Sequence, residues 1–237
     1  MPTPLLPGLV VRGFTPPLRL ADFRLIAFDM DSTLINIECV DEIADAAGRK
    51  AEVAAITEAA MRGEIADYKE SLRRRVALLE GVPVSALQQV LDERMRFNPG
   101  AEALVRSVQA AGLRTLLVSG GFTFFTDRVR ERLAIDDTRS NVLEIAAERL
   151  TGRMVDQPWG DICDGDEKRR MLLETCRRHA IDAAQAIAVG DGANDLPMMD
   201  AAGLSVAYHA KPRVRERAMV AIDAGGLDRL LEVLLPG

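Results

Sequence analysis

The feature that most constrains this chain is an apolar run that ends in two closely spaced aspartates. Leu25–Phe28 are all hydrophobic, a pattern typical of a short buried strand. Asp29 and Asp31 follow at once, and Ser32 and Thr33 come directly after them. Ligands of open α/β sheets bind just beyond the carboxyl ends of the strands. This loop is therefore better suited to chemistry than to packing.

Two further apolar runs also end in polar, glycine-containing loops. Residues 113–118 lead into Ser119-Gly-Gly, and residues 186–189 lead into the loop Gly190-Asp-Gly-Ala-Asn-Asp195. Helical patterns separate the runs, and this alternation predicts an α/β fold with a Rossmann-like parallel sheet and helices on both faces. Because a parallel sheet collects its carboxyl ends at one edge, we expect the three loops to converge.

A helical block interrupts the alternation between the first two runs. Residues 38–98 contain three glycines and one proline, and they are rich in residues that favour helices. The pattern predicts helices at residues 40–47, 51–61, 68–79 and 84–94. This is more helix than a crossover needs. We interpret 38–98 as an inserted helical cap on a core made of residues 23–37 and 99–237.

Other segments lie outside the simple alternation. Five prolines in the first seventeen residues exclude a helix there, so residues 1–22 are predicted to be a proline-rich lead-in, extended or loosely ordered. Residues 141–155 have a Thr-Gly pair between two apolar stretches and predict a small β-hairpin excursion. Helices are predicted at residues 166–179 and 196–201, and a closing helix at 227–235.

The composition excludes several classes of function. The chain has 237 residues, 30 basic against 36 acidic, and a net charge of −6. A nucleic-acid or anionic-membrane binding surface would be basic, so we expect neither partner. The three cysteines are widely spaced and predict free thiols in a reducing compartment. Since we find no convincing signal peptide or membrane span, we expect a cytoplasmic protein.

The three converging loops would assemble a recognisable set of chemical groups. They would bring together four carboxylates, one hydroxyl and several glycine amides. Clustered carboxylates repel one another unless a cation lies among them, and ligands made only of oxygen suit Mg²⁺. Glycine amides at helix starts can face an anion. A hard cation beside an anion site indicates phosphoryl transfer, in which one carboxylate can be the nucleophile and another the acid and base.

These stretches resemble the motifs of the haloacid dehalogenase-like hydrolases. The matching residues are Asp29-Met-Asp31-Ser-Thr, the strand-terminal Ser119 and the loop from Gly190 to Asp195. A lysine between the second and third motifs is matched by Lys168. The resemblance implies that Asp29 attacks phosphorus and carries the phosphate. It also implies that Asp31 protonates the leaving oxygen and then activates water.

The resemblance further implies a set of ligands around the phosphate. Mg²⁺ would be held by the Asp29 carboxylate, the Asp31 backbone carbonyl and Asp191, and Asp195 would support the metal from nearby. The implied ligands of the phosphoryl oxygens are Ser119, the Gly120 amide, Lys168 and Asn194.

The helical cap narrows the resemblance to one branch of this family, over about residues 25–222. The stretches that match are Glu38 with residues 41–44, Ala60-Met61, and residues 71–76. They imply a small-molecule substrate, O-phosphoserine, hydrolysed to serine and phosphate in the last step of serine biosynthesis. Glu38 would pair with the substrate ammonium, Arg75 with its carboxylate, and Met61 would pack on it. A guanidinium fork suits a carboxylate.

Two of these assignments have a plain structural alternative. Lys168 lies beside Glu167, Arg169 and Arg170, and such a charge run is usually a solvated helix face. Glu38 could merely cap the first inserted helix, where an acid is favoured.

Other questions stay open on sequence alone. Arg75 is the last of three consecutive arginines, and only its spacing from Ser71-Leu72 favours it. The sequence does not decide whether Tyr68 fills the aromatic position expected beside the substrate, or whether the protein is a monomer or a homodimer. The alternative functions are phosphoryl transfer to another alcohol such as homoserine, hydrolysis of a different phosphomonoester, and phosphate binding without catalysis.

Overall fold

The strands and helices of the chain alternate for most of its length. The computed structural model describes residues 3–62, 64–65 and 67–235. Within these ranges the strands are β1 (Thr3–Leu6), β2 (Leu9–Val11), β3 (Leu18–Arg19), β4 (Leu25–Phe28), β5 (Arg114–Phe122), β6 (Asp137–Ala146), β7 (Arg149–Val155), β8 (Ala186–Gly190), β9 (Leu204–Tyr208), β10 (Val220–Ile222) and β11 (Leu234–Leu235).

The helices fall into an inserted group and a group that connects the strands. They are α1 (Cys39–Ala46), α2 (Lys50–Met61), α3 (Tyr68–Ala77), α4 (Val84–Gln89), α5 (Ala101–Ala110), α6 (Thr123–Leu133), α7 (Gly165–Arg178), α8 (Leu196–Ala201) and α9 (Pro212–Arg217). Short helical segments lie at Met30–Leu34, Val90–Arg94, Ala193–Asp195 and Leu227–Glu232. No helix in the described ranges is both long enough and apolar enough to cross a membrane.

The predicted parallel sheet with helices is confirmed. Among the described residues, nine strands form one sheet in the order β1-β2-β10-β9-β8-β4-β5-β6-β7. Strand β4 lies near its centre and pairs in parallel with both β5 and β8. Ile26 and Phe28 pack into one apolar cluster, while Leu25 and Ala27 pack into a second. Because successive side chains of a strand point to opposite faces, both faces of β4 are buried.

The lead-in is part of this sheet. Strands β1 and β2 form an antiparallel pair around Gly8, whose φ is +76°, and β2 continues the pairing onto β10. Leu9 and Val11 are buried. Strands β1, β2 and β3 of this segment are extended and pair with other strands, and a 3₁₀ turn follows at Leu20–Asp22. Prolines exclude a helix yet are tolerated at the edge of a sheet.

The remaining elements agree with the sequence pattern except in two places: β5 continues through Ser119-Gly-Gly to Phe122 instead of ending at Val118, and the carboxyl end differs. Helices α1 to α4 lie between β4 and β5, and β6 with β7 forms the expected antiparallel hairpin. The predicted closing helix at 227–235 is wrong, because a 3₁₀ turn over Leu227–Glu232 precedes β11, which pairs with β3. Burial of Val233 and Leu234 against the rest of the core explains the change. The boundaries of the cap and core stay a prediction.

We expect that replacing Leu9 by Ala lowers the free energy of unfolding by about 2–5 kcal/mol, since it removes a fully buried side chain from the sheet-bound lead-in. Urea unfolding followed by circular dichroism measures this loss. Thr15→Ala is the control, because Thr15 is exposed in the same segment. Equal stability of the two variants would contradict the packing of the lead-in.

Candidate active site

The three strand-end loops meet in one cavity. Asp29 follows β4, Ser119 lies near the end of β5, and Asp191 follows β8. Parallel register places Phe28 beside Leu117 and Val189, so the three loops begin at the same level of the sheet. They line a cavity of about 780 Å³. The expected convergence is confirmed.

A buried lysine joins two of the carboxylates. The Lys168 Nζ atom lies 2.7 Å from Asp29 Oδ1 and 2.6 Å from Asp195 Oδ1. Lys168 has no exposed surface, whereas its neighbours Arg169 and Arg170 are exposed. The side chain of Lys168 is thus directed into the site and not onto a solvated helix face.

The charges of this cluster determine its protonation. Burial and then the Asp195 carboxylate raise the pKa of Asp29, and Lys168 opposes that rise. Burial lowers the pKa of Lys168, but the Asp195 and Asp29 carboxylates outweigh it and hold that pKa above its usual value. Lys168 therefore stays a cation, as a buried carboxylate pair requires.

Asp195 holds the loop that carries Asp191. Its Oδ2 atom accepts hydrogen bonds from the backbone N–H groups of Asp191 at 3.1 Å and Gly192 at 2.9 Å, while Oδ1 contacts Lys168. Asp195 is fully buried. With both oxygens engaged in this way, it fixes the shape of the loop.

The donor set suits a hard divalent cation. One carboxylate oxygen from each of Asp29, Asp191 and Asp195 lies within 4.8 Å of the other two. Burial, followed by the charge of Asp195, raises the pKa of Asp191 to about 7. Since these acids repel one another, a cation between Asp29 and Asp191 would relieve the repulsion. Oxygen donors of this kind fit Mg²⁺.

Asp31 has different surroundings from Asp29. Its Oδ2 accepts the backbone N–H of Cys39 at 3.1 Å, and its Oδ1 accepts the thiol of Cys39 at 3.1 Å. Ser32 has a φ of +55°, so the chain turns sharply just after Asp31. Burial and then Glu38 raise the pKa of Asp31 to about 7. The two aspartates are therefore held by different parts of the fold.

The residues predicted to bind the phosphate lie at the end of β5. The Ser119 hydroxyl oxygen accepts the Gly121 N–H at 2.9 Å. Gly120 packs directly under the hydroxyl of Tyr68, where a Cβ atom would collide with it. Tyr68 thus lies in the cavity wall from the side of α3, which places it beside the expected anion position.

Asn141 is a supporting residue that the sequence analysis missed. Its side-chain N–H₂ donates to the Gly120 carbonyl at 2.8 Å, and its side-chain oxygen accepts the Cys163 N–H at 2.8 Å. It is buried within β6. Asn141 follows the polar residues Asp137–Ser140 in the sequence, so the local pattern carried no signal of its role, and its two partners come from distant segments.

The helical segment supplies the opposite wall of the cavity. Glu38 makes no capping hydrogen bond with its side chain and instead accepts the Ser32 hydroxyl at 2.8 Å. The Arg75 Nε atom is buried and has no hydrogen-bond partner among the described atoms. Glu38 and Arg75 both line the cavity, together with Asp41 of the same helical segment.

The other predicted residues of the site are placed as follows. Arg73 pairs with Asp161 and Arg74 with Glu70, which leaves Arg75 as the arginine of this run that lines the cavity. Asn194 also lines the cavity. The side chain of Met61 lies outside the described part of the chain.

Comparison with known proteins gives consistent matches over most of the chain. A family model for haloacid dehalogenase-like hydrolases matches residues 26–200. A curated phosphoserine phosphatase of a Polaromonas species is 74% identical over 98% of this chain and 99% of its own length. The phosphoserine phosphatase of Albidiferax ferrireducens is 73% identical over 99% of both chains.

Solved structures agree with these sequence matches. A phospho-aspartyl intermediate analogue of a phosphoserine phosphatase aligns with a TM-score of 0.82 and 35% identity, over 90% of this chain and 99% of that chain. A hydrolase of the same family from Salmonella enterica serovar Typhi aligns with a TM-score of 0.83 and 38% identity, over 92% of this chain and 72% of that chain.

We expect Lys168→Met to lower the free energy of unfolding by about 3–5 kcal/mol, since the Asp29 and Asp195 carboxylates would stay buried without their cation. Urea unfolding in the presence of a chelator measures this loss without compensation by a metal. Arg169→Met, at the exposed neighbouring position, should change stability by about 0.5 kcal/mol or less. A similar small change for both variants would show that the buried pairs are not formed.

Proposed function

The chain belongs to the haloacid dehalogenase-like hydrolases, and we propose that it hydrolyses O-phosphoserine to serine and inorganic phosphate. The observation that carries this proposal is a single cavity that holds groups suited to both parts of the substrate. Asp29, Asp31, Ser119 and Gly120 line it for the phosphate, and Glu38 and Arg75 line it for the amino acid. Two full-length relatives named phosphoserine phosphatase support the same conclusion.

The chemistry assigned to the two aspartates proceeds in two steps. The Asp29 carboxylate attacks phosphorus, the bond from phosphorus to the serine oxygen breaks, and the carboxylic acid of Asp31 gives its proton to that oxygen. A water molecule then attacks the phosphorus of the aspartyl-phosphate and transfers a proton to the Asp31 carboxylate. The bond between Asp29 and phosphorus breaks, which releases phosphate and restores both residues.

The phosphoryl group would be held by the cationic and polar groups around Asp29. These ligands are Lys168, the Ser119 hydroxyl, the Gly120 amide and Asn194. Mg²⁺ would be held by Asp29, the Asp31 carbonyl and Asp191, with Asp195 fixing the loop nearby. When bound, this ion supplies positive charge that offsets the carboxylates and the phosphoryl oxygens. The raised pKa values of Asp29 and Asp191 support the need for such a charge.

The amino-acid end of the substrate would be held by Glu38 and Arg75. Glu38 would pair with the ammonium, and Arg75 with the carboxylate. The Nε atom of Arg75, buried and without a partner among the described atoms, supports this assignment, because a buried N–H without an acceptor is costly. The contact of Met61 with the substrate, the cytoplasmic location, and the choice between monomer and homodimer stay predictions.

Replacement of Asp29 by Asn should abolish phosphate release, by a factor on the order of 10⁴ or more, because an amide cannot act as the nucleophile. Phosphate release from O-phosphoserine measures this loss, and circular dichroism checks that the fold is kept. Asp127→Asn is the matched control, since Asp127 is exposed on α6. Near-normal turnover by Asp29→Asn would refute the mechanism.

A change of Arg75 to Gln should alter specificity more than catalysis. We expect the ratio of kcat/KM for O-phosphoserine to that for phosphoethanolamine, which lacks the carboxylate, to fall about 10–100-fold with the loss of a charge-assisted contact. Arg74→Gln is the control, because Arg74 pairs with Glu70 on the helix surface. Equal losses for both substrates would place Arg75 away from the carboxylate.

A substrate and acceptor panel separates hydrolysis from the alternative reactions. We expect O-phosphoserine to release more phosphate than phosphothreonine or homoserine phosphate, and this release to require Mg²⁺. Free phosphate should appear in proportion to serine when homoserine is added. Capture of the phosphoryl group by homoserine would instead identify a transferase, and undiminished release with a chelator would exclude the metal requirement.

A further inference from the structure

We propose that Cys39 is a positioning residue for Asp31, which it holds through its backbone N–H and its thiol. This inference rests on the proposed function, in which Asp31 transfers the proton of the leaving group. In this role Cys39 acts through Asp31 and not directly on the substrate.

The hydrogen bonds of Cys39 engage both oxygens of one carboxyl group. The backbone nitrogen lies 3.1 Å from Asp31 Oδ2, and the sulfur lies 3.1 Å from Asp31 Oδ1. Two donors from one residue fix the plane of the carboxyl group as well as its position. Cys39 is fully buried, so both donors are held in place by the packing around them.

The position of Cys39 in the chain makes it suited to this task. It is the first residue of α1, eight residues after Asp31, and the chain between them turns through Ser32 at a positive φ. The neighbouring Glu38 accepts a hydrogen bond from the Ser32 hydroxyl. Asp31 therefore takes its orientation from the start of the inserted helical segment, rather than from the strand that precedes it.

The contacts leave Asp31 able to transfer a proton. Each carboxyl oxygen has two lone-pair sites, and Cys39 occupies one on each oxygen. The remaining sites can carry the proton toward the leaving oxygen. Loss of the thiol would free the carboxyl group to rotate about its side-chain bonds, so the proton would be delivered less often in the correct direction.

The dependence of kcat/KM on the pKa of the leaving alcohol tests this role. The kcat/KM value covers the steps up to release of the alcohol, and a poor leaving group needs the proton most. The substrates are O-phosphoserine, phosphoethanolamine, phenyl phosphate and p-nitrophenyl phosphate, in order from alkyl esters to the best leaving group. We expect Cys39→Ala to lower kcat/KM about tenfold for the two alkyl esters, and less than about twofold for p-nitrophenyl phosphate.

Three further variants test whether the effect comes from the hydrogen-bond donor of the Cys39 side chain. Cys39→Ser should restore the wild-type pattern, because a hydroxyl donates as the thiol does. Cys39→Val, somewhat larger than cysteine but also without a donor, should behave as Cys39→Ala and replaces it if the cavity left by alanine prevents folding. Cys176→Ala is the control, since Cys176 is a buried cysteine on α7 and should change no rate.

The outcomes separate this proposal from the proposed function. An equal loss for all four esters, or no loss for any, would overturn the positioning role of Cys39. Failure of the wild-type protein to prefer O-phosphoserine over phosphoethanolamine would overturn the proposed substrate. The slope of log kcat/KM against the leaving-group pKa would still test Cys39 in that case.

Discussion

The contact of Lys168 with two buried carboxylates is the interaction on which the rest of the site depends. Asp29 belongs to the loop after β4, Asp195 to the loop after β8, and Lys168 to α7. Two buried carboxylates at the ends of adjacent strands would repel each other strongly without a cation between them. Lys168 forms an ion pair with each carboxylate. These two contacts hold α7 beside the ends of β4 and β8. The anion site and the pair Asp29 and Asp191 are arranged around this point.

The glycines of the loop after β8 follow from the same arrangement. The Asp195 carboxylate folds back to accept two backbone N–H groups, and it packs so closely on Gly190 that a Cβ atom there would collide with it. A Cβ at Gly192 would lie 2.5 Å from the Asn194 side-chain oxygen. The spacing of glycine and acid in this loop is therefore a packing requirement, created by a carboxylate that must approach the backbone. The glycines at positions 190 and 192 and the side chains of Asp195 and Asn194 therefore depend on one another.

Sequence patterns predicted those parts of the fold that depend on local preference and on topology. The apolar runs identified β4, β5 and β8, and the geometry of a parallel sheet then required Asp29, Ser119 and Asp191 to meet. Contacts between residues that are far apart in the chain leave no such pattern in the sequence. The closing segment 227–235 carries enough apolar residues for one helix, but only a 3₁₀ helix forms at Leu227–Glu232, and Leu234–Leu235 pair with β3 as β11. Asn141 likewise acquires its meaning only when Gly120 and Cys163 are brought beside it.

The two aspartates that begin the site are controlled from opposite sides of the cavity. Asp29 is held by Lys168 from the core, and Asp31 is held by Cys39 at the start of α1. In the proposed mechanism the substrate ammonium binds Glu38, the residue immediately before Cys39. Any movement of the start of α1 that follows this contact also moves the donors to Asp31. Recognition of the amino acid and delivery of the proton are thus coupled through two consecutive residues, while the nucleophile stays fixed in the core. A phosphate ester without an ammonium group would still react with Asp29. It would lack the contact with Glu38, and with it the effect of that contact on the position of Asp31.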